Sequence, residues 1–380
     1  MPNNIMEIIE KNFSKNSTKH FNSILFINEE NLSFNTKKIA KICRNTEIAP
    51  VVKSNGYGIG ANLLIKYYLK ENIKSFFVGN LNEAIKIRNN FKNINIYILN
   101  CKIKSNLRLL IKYDLIPVIN DIEELTNYSK IKSTKVPCII HVDTGMNRLG
   151  IEYQQIFDAT NNINFKNIEI LFLMSHLACS EDQNNKMNLH QLQALKKVQK
   201  NLNQLYGKSI KTSIANSSGI WLGKKFFLDL VRPGQAFLGT NPTNNKKKPF
   251  KTVIYFFAHI VQIKNANKNS SVGYGATYKI KKKTKIATIS LGYANGFPRS
   301  FSNLGSVFIK NKKVKVIGKI SMDLTVIDIT DIDEFNIKVG DPVEIFGINR
   351  SLEEFAEQNN TIPHEIICSI GKNSKIIIAK

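Results

Sequence analysis

The stretch VVKSNGYGIG, Val51–Gly60, sets a lysine at the end of a β-branched run, then a polar pair, then two glycines around a tyrosine. With the residues before it the run reads IAPVVK (48–53), a short buried strand that ends in Lys53. Similar runs follow at a steady beat: SFFVGN (75–80), INIYILN (94–100), IPVIN (116–120), VPCIIHVD (136–143), IEILFLMSH (168–176), IKTSIAN (210–216) and FLDLVR (227–232). Amphipathic stretches such as LNEAIKIRNN (81–90) and KMNLHQLQALKKVQKNLNQL (186–205) lie between most of them, with apolar residues recurring at three and four. The last connection, SSGIWLGKK, is too short for a long helix.

Eight such strands alternating with helices predict a TIM-type (β/α)8 barrel; a doubly wound sheet is the alternative, lowered because no G-x-G-x-x-G follows the first strand. After about residue 250 the texture becomes strand-rich, with TVIYFFAHIVQI, KIATISLGY, SVFIKNKKVKVIG and DPVEIFG separated by turn residues. The expected division is an N-terminal segment 1–28, part of which pairs with the β domain, a barrel over 29–247 and a mainly β C-terminal domain over 248–380.

With 43% hydrophobic and 22% charged residues, the 380-residue chain has the composition of a soluble globular protein with a sizeable core. The formal charge of +25 invites a nucleic-acid or membrane-surface reading. The lysines are scattered, however, not interleaved with aromatics, and they accompany abundant Asn and Ile, so A/T-rich codons account for the excess. The runs NNKKKPFK (244–251) and KIKKKTK (279–285) read as solvated loops. Five widely spaced cysteines without a C-x-x-C pair fit a reducing compartment and no structural zinc. The N-terminus lacks an apolar signal region and no apolar run could span a bilayer, so the expectation is a cytoplasmic protein.

In a barrel of this kind chemistry sits at the carboxyl ends of the strands. Those ends here carry Lys53, then Asp143 and Arg148, Ser175 and His176, Asn216 with Ser217 and Ser218, and Arg232, Pro233 and Gly234. A lysine partly stripped of water is nucleophilic and can bond to a carbonyl substrate or to pyridoxal phosphate, although alone a strand-end lysine is more often one that snorkels to solvent. ANSSG (215–219) and RPGQ (232–235) have the small residues whose backbone N–H groups bind phosphate, or they are plain turns. His176 can stack on a cofactor or be a satisfied strand-end histidine, and Arg148 suits a carboxylate or a surface ion pair. Tyr274 and Tyr278 in GYGATY and Tyr293 in LGYANGFPR stand beside glycines; ISMD (320–323) adds a backbone and a carboxylate.

Taken together, VVKSNGYG, VDTGMNRLGI, SHLA, ANSSG, VRPG, GYGATY, GYANGFPR and GKISMD resemble, in order and approximate spacing over roughly residues 20 to 370, the motifs of bacterial alanine racemase. The resemblance implies a pyridoxal 5'-phosphate enzyme that interconverts L- and D-alanine by two bases and supplies D-alanine for peptidoglycan. A racemase of serine or broader specificity, or a cofactor-binding homologue with reduced turnover, is the alternative. It further implies that Lys53 carries the cofactor and is one base, and that Tyr274, from the other subunit of a homodimer with shared sites, is the other. Tyr57, Asn216, Ser217, Gly234 and Gln235 fall with the phosphate, His176 against the ring, and Arg232 at the pyridine nitrogen. Arg148, Met322 and Asp323 fall with the substrate, and Tyr293 at the entrance. No metal, nucleic acid or membrane is implied. The chain departs from the pattern at His141, where the family often has a lysine, and at Asn295, Lys319 and Lys372.

Overall fold

The computed structural model describes residues 2–14, 22–131, 136–244 and 249–379; the middle of the expected loop at 244–251, residues 245–248, thus lies outside the described residues. The eight expected strands form one parallel ring in the order Glu47–Ile48, Leu230–Val231, Lys211–Ser213, Ile170–Met174, Cys138–Asp143, Ile116–Ile119, Asn95–Ile98 and Ser75–Val78. A bridge between Val51 and Phe77 closes it, with Val52 N–H donating to the Phe77 carbonyl at 2.8 Å and Val51 N–H to the Pro233 carbonyl at 2.9 Å. Helices Leu81–Asn90 and Lys186–Tyr206 occupy their expected places, and SSGIWLGKK makes two short 3-10 turns, Gly219–Leu222 and Lys224–Phe226.

Period-two alternation sorts the strand residues into two cores. Phe76, Ile96, Ile98, Ile140 and Leu173 pack outward in the same cluster as helix residues such as Leu64 and Leu195, while Ala49, Phe77, Tyr97, Val118, Ile139, Phe172, Met174 and Leu230 fill the barrel. Two residues further along each strand comes the layer above that plug: Val51 over Ala49, Leu99 over Tyr97, His141 over Ile139, His176 over Met174 and Arg232 over Leu230. The barrel's apolar filling is therefore the floor of a polar mouth.

The second sheet runs Thr284–Ile289, Thr325–Asp328, Lys312–Val316, Ser306–Ile309, Pro342–Phe346, Ile254–Ala266, Ser23–Asn28 and Lys375–Ala379, and Ile254–Ala266 also pairs with Thr284–Ile289. Ser23–Asn28 lies antiparallel to Ile254–Ala266 and parallel to Lys375–Ala379. Helix Pro2–Ser14 covers this end of the sheet by burying Ile5, Ile9 and Phe13 against Phe26 and Phe257. At the other end of the domain, helix Pro363–Gly371 reaches back to the barrel. A Cβ at Gly371 would stand 2.5 Å from the Gly58 carbonyl oxygen, so this contact exists because position 371 has no side chain.

Candidate active site

Lys53 lies one residue past the last paired residue of its strand, at the start of a turn that coils left-handed. Ser54 (φ 53°, ψ 43°), Asn55 (φ 54°, ψ 48°) and Gly56 (φ 64°, ψ 46°) share that conformation, and Tyr57 continues it at φ 57°. Only the glycine enters it freely; each other residue costs roughly 1–2 kcal/mol. Backbone bonds hold the turn, Gly56 N–H to Val52 O and Gly58 N–H to Ser54 O at 2.8 Å each, and the Asn55 side chain accepts from Ala61 N–H at 3.1 Å.

The turn carries the Tyr57 ring, 7% exposed, over to the loop after the last strand. There a Cβ at position 234 would overlap the Tyr57 hydroxyl, so Gly234 admits the phenol against its backbone. Ser217 Oγ accepts from Gly234 N–H at 2.9 Å and from Ala236 N–H at 3.3 Å, and the neighbouring Ser218 Oγ is buried with no hydrogen-bond partner. The two N–H groups thus hold Ser217 Oγ as an acceptor and leave its proton to give, and with the Ser218 hydroxyl and the Tyr57 phenol beside the same cavity the set suits an anion's oxygens.

The loop that carries Arg148 is held at its backbone. Asp143 Oδ1 accepts from the N–H groups of Gly145, Met146 and Asn147 at 2.8, 3.0 and 3.2 Å, and Gly150, at φ 118°, lets the chain double back against Asp143 N. The loop after the sixth strand is pinned by the fully buried Gln191, whose amide donates to His176 O at 2.8 Å and accepts from Ala178 N–H at 2.9 Å. The Arg232 guanidinium donates to Ser213 Oγ and the Ser175 carbonyl deep in the mouth, and burial lowers its pKa to about 9.

These elements bring Lys53, Tyr57, Arg148, His176, Asn216, Ser217, Arg232, Gly234 and Gln235 to one cavity of about 440 Å³. Glu181 is the one carboxylate among its lining residues, so the cavity favours anions. Burial, followed by the charges of Arg232 and Arg148, lowers the pKa of His141 to about 4 and of His176 to about 3; Asp143 pulls His141 the other way. The imidazoles are neutral rings, able to pack on a flat ligand.

Lys53 is exposed, so this chain alone does not strip its water. Tyr274, Tyr293, Met322 and Asp323 do not reach the cavity; they stand on the β domain with exposures of 72%, 45% and 56% for the first three. The turns meet there, since Tyr293 N–H donates to Ser321 O at 3.1 Å and a Cβ at Gly275 would lie 3.4 Å from Lys319 Nζ. Sequence reading missed His364, which helix Pro363–Gly371 brings into the cavity with its ring centroid 5.5 Å from that of Tyr57. Burial and the Lys53 charge lower its pKa to about 4.

A parallel barrel that gathers an amine, guanidiniums and a cluster of hydroxyls above its apolar plug defines a phosphate-binding barrel enzyme. The family profile "Alanine racemase, N-terminal domain" matches residues 27–242, and "Alanine racemase, C-terminal domain" matches 253–378. The alanine racemase of Rickettsia bellii is 37% identical over 377 residues, covering 97% of this chain and 91% of the relative. That of Rickettsia canadensis is 36% identical over 352 residues, covering 91% and 96%. A crystal structure of alanine racemase from Bartonella henselae with covalently bound pyridoxal phosphate superposes with a TM-score of 0.87 at 35% identity, covering 94% of this chain and 99% of that one. The chain belongs to the alanine racemase family.

Proposed function

We propose that this chain interconverts L-alanine and D-alanine with pyridoxal 5'-phosphate bound to Lys53. The observation that carries the reading is that one cavity unites Lys53, the anion cradle and Arg148 in a member of this family. The residues fit the group. The unpartnered, buried Ser218 Oγ and the Tyr57 hydroxyl over Gly234 await oxygens of a phosphate, and Ser217, Asn216 and Gln235 border the same place. The relative from Bartonella henselae binds pyridoxal phosphate covalently, which supports the assignment of the amine.

When bound, the cofactor supplies an electron sink for the pair left on the α-carbon as its proton leaves. Lys53 holds the cofactor and moves the α-proton on its own face. Arg148 takes the substrate carboxylate, its charge and fork geometry suited to two oxygens. The neutral His176 ring would pack on the flat cofactor, and Arg232, a donor with no acceptor atom, would hold its ring nitrogen by donating a hydrogen bond and so keep a proton off it. Restricting the sink in this way suppresses side reactions such as transamination.

Inversion requires a second acid or base on the opposite face. We assign it to the partner subunit's Tyr274 in a homodimer with shared sites. The support is that Tyr274 is 72% exposed and outside its own chain's cavity, and that Lys53 is left open to solvent by its own chain. On the same face, Met322 and Asp323 are assigned to the substrate and Tyr293 to its entrance. Within this reading the functional units are the segment 1–28, the barrel 29–247 and the β domain 248–380. We further assign the product to peptidoglycan synthesis and the enzyme to the cytoplasm, in keeping with five unpaired cysteines. Among the described residues no helix is long and apolar enough to cross a membrane and no cluster could hold a metal ion.

The test is incubation of the purified protein and pyridoxal phosphate with L-alanine, with D-alanine followed by a chiral assay. Wild type should form D-alanine and Lys53→Ala should not; equal behaviour of the two overturns the assignment.

A further inference from the structure

Asn120 follows the strand Ile116–Ile119, and its amide nitrogen donates to the carbonyls of Leu99 at 2.9 Å and Val118 at 3.2 Å. With both amide protons committed, the atom that meets His141 Nδ1 at 2.7 Å is the amide oxygen, Oδ1. Since an amide oxygen only accepts, Nδ1 carries the proton of the neutral ring. Nε2 is then a lone pair, and it is the polar atom His141 has left for the cavity that it shares with Arg148.

The surroundings keep the ring in that state. Arg232 from the last barrel strand and Arg148 from the loop after His141's own strand oppose protonation, Asp143 on the same strand favours it, and His176 from the sixth strand faces the same cavity as a neutral ring; burial is the largest influence and the balance is a neutral ring.

We propose that Asn120 and His141 form a positioning pair for the substrate carboxylate: Asn120 fixes the tautomer, and the Nε2 lone pair of His141 accepts a hydrogen bond from Arg148. This rests on Arg148 being the carboxylate contact. The pair orients the guanidinium without neutralising it, because an imidazole lone pair carries no formal charge. Arg148 therefore keeps its full charge for the ligand, which a carboxylate in the place of His141 would partly cancel. The exposed position of Arg148 makes such a hold necessary, since its loop fixes the backbone and not the head group.

The experiment uses the holoenzyme and its variants His141→Phe, His141→Gln and Asn120→Leu, with three readouts. These are the nitrogen NMR shifts of histidine-labelled protein, the Kd of propionate as a short carboxylate probe, and KM and kcat for alanine. The wild type should show the Nδ1–H tautomer at His141. His141→Phe should raise the propionate Kd and the alanine KM about tenfold, the effect of losing one hydrogen bond to a charged group, with a smaller change in kcat. His141→Gln, which keeps an acceptor, should recover most of that loss, and Asn120→Leu should release the tautomer. The pair is overturned if the wild type carries the Nε2–H tautomer, or if a folded His141→Phe binds propionate as the wild type does. Should His141→Phe not fold, His141→Gln and Asn120→Leu decide by the same readouts. Failure of the wild type to make D-alanine overturns the racemase reading instead, while the tautomer and the propionate Kd still decide the pair.

Discussion

Two tyrosines beside glycines divide this molecule. Tyr57, 7% exposed, is locked between a left-handed turn, the backbone of Gly234 and the ring of His364. Tyr274 is 72% exposed, on a 3-10 turn whose Gly273 and Gly275 also have positive φ. The barrel mouth is assembled within the chain, its cations and hydroxyls lining one cavity. Among the described residues, the β-domain face stays outside that cavity and is presented to solvent. Under the proposed reading the fold holds one finished half of a site and one half that serves a partner, and the difference shows in burial more than in residue type.

The largest effect that bears on this contrast is expected at the finished half. Lys53→Ala should lower racemisation by on the order of 10⁴ or more and abolish the visible absorbance of covalently held cofactor, read in one spectrum and one chiral assay. Tyr274→Phe should lose roughly 10²–10⁴ in kcat while keeping that absorbance. Mixing the two inactive variants sharpens the contrast further. If sites are shared, some mixed dimers hold one intact site and activity returns; if Tyr274 serves its own chain, every site stays defective and none returns.

Smaller effects test how the mouth is held. His141 is 7% exposed and its pKa falls from the ordinary 6.5 to about 4, so between those values the unfolded chain binds a proton that the folded one refuses. Stability then rises with pH in that window, and acidification across it should cost about 3 kcal/mol, measured by urea unfolding at several pH values; His141→Gln should flatten that part of the curve. Gly234→Ala should push the Tyr57 hydroxyl away and weaken cofactor binding about tenfold to a hundredfold, as overpacking of 1–3 kcal/mol implies. Asp143→Ala should be mildest, freeing the loop that carries Arg148 and raising the alanine KM severalfold, for about 1 kcal/mol of lost backbone hydrogen bonding.

The barrel was legible because each strand is a compact apolar run and each helix keeps its period, so local pattern and global topology agree. The mouth was legible for a related reason: polar residues at 141, 176 and 232 interrupt runs that are otherwise apolar. What stayed hidden has no local mark. Ser54 and Tyr57 carry no signal for a left-handed turn, which Gly56 and less strongly Asn55 favour, so a run of four such residues is not marked in the sequence. His364 lies on a helix of the other domain and reaches Tyr57 through tertiary packing alone. The exposure of Lys53 has no local mark either, because a sequence pattern tells which residue tops a strand and not what stands above it.

The contact between Gly371 and Gly58 bears on how the enzyme comes into being on the ribosome. The barrel strands all emerge before residue 240, yet the turn that bears Lys53 has its outer wall in a helix made more than a hundred residues later. Ser23 meets Ser374 across 351 positions, and the strand Ser23–Asn28 waits that long for its parallel neighbour. Such distant pairings form slowly and late. A nascent chain therefore displays a nearly whole barrel with an unfinished mouth, and that mouth gains its wall only once the helix Pro363–Gly371 has been made.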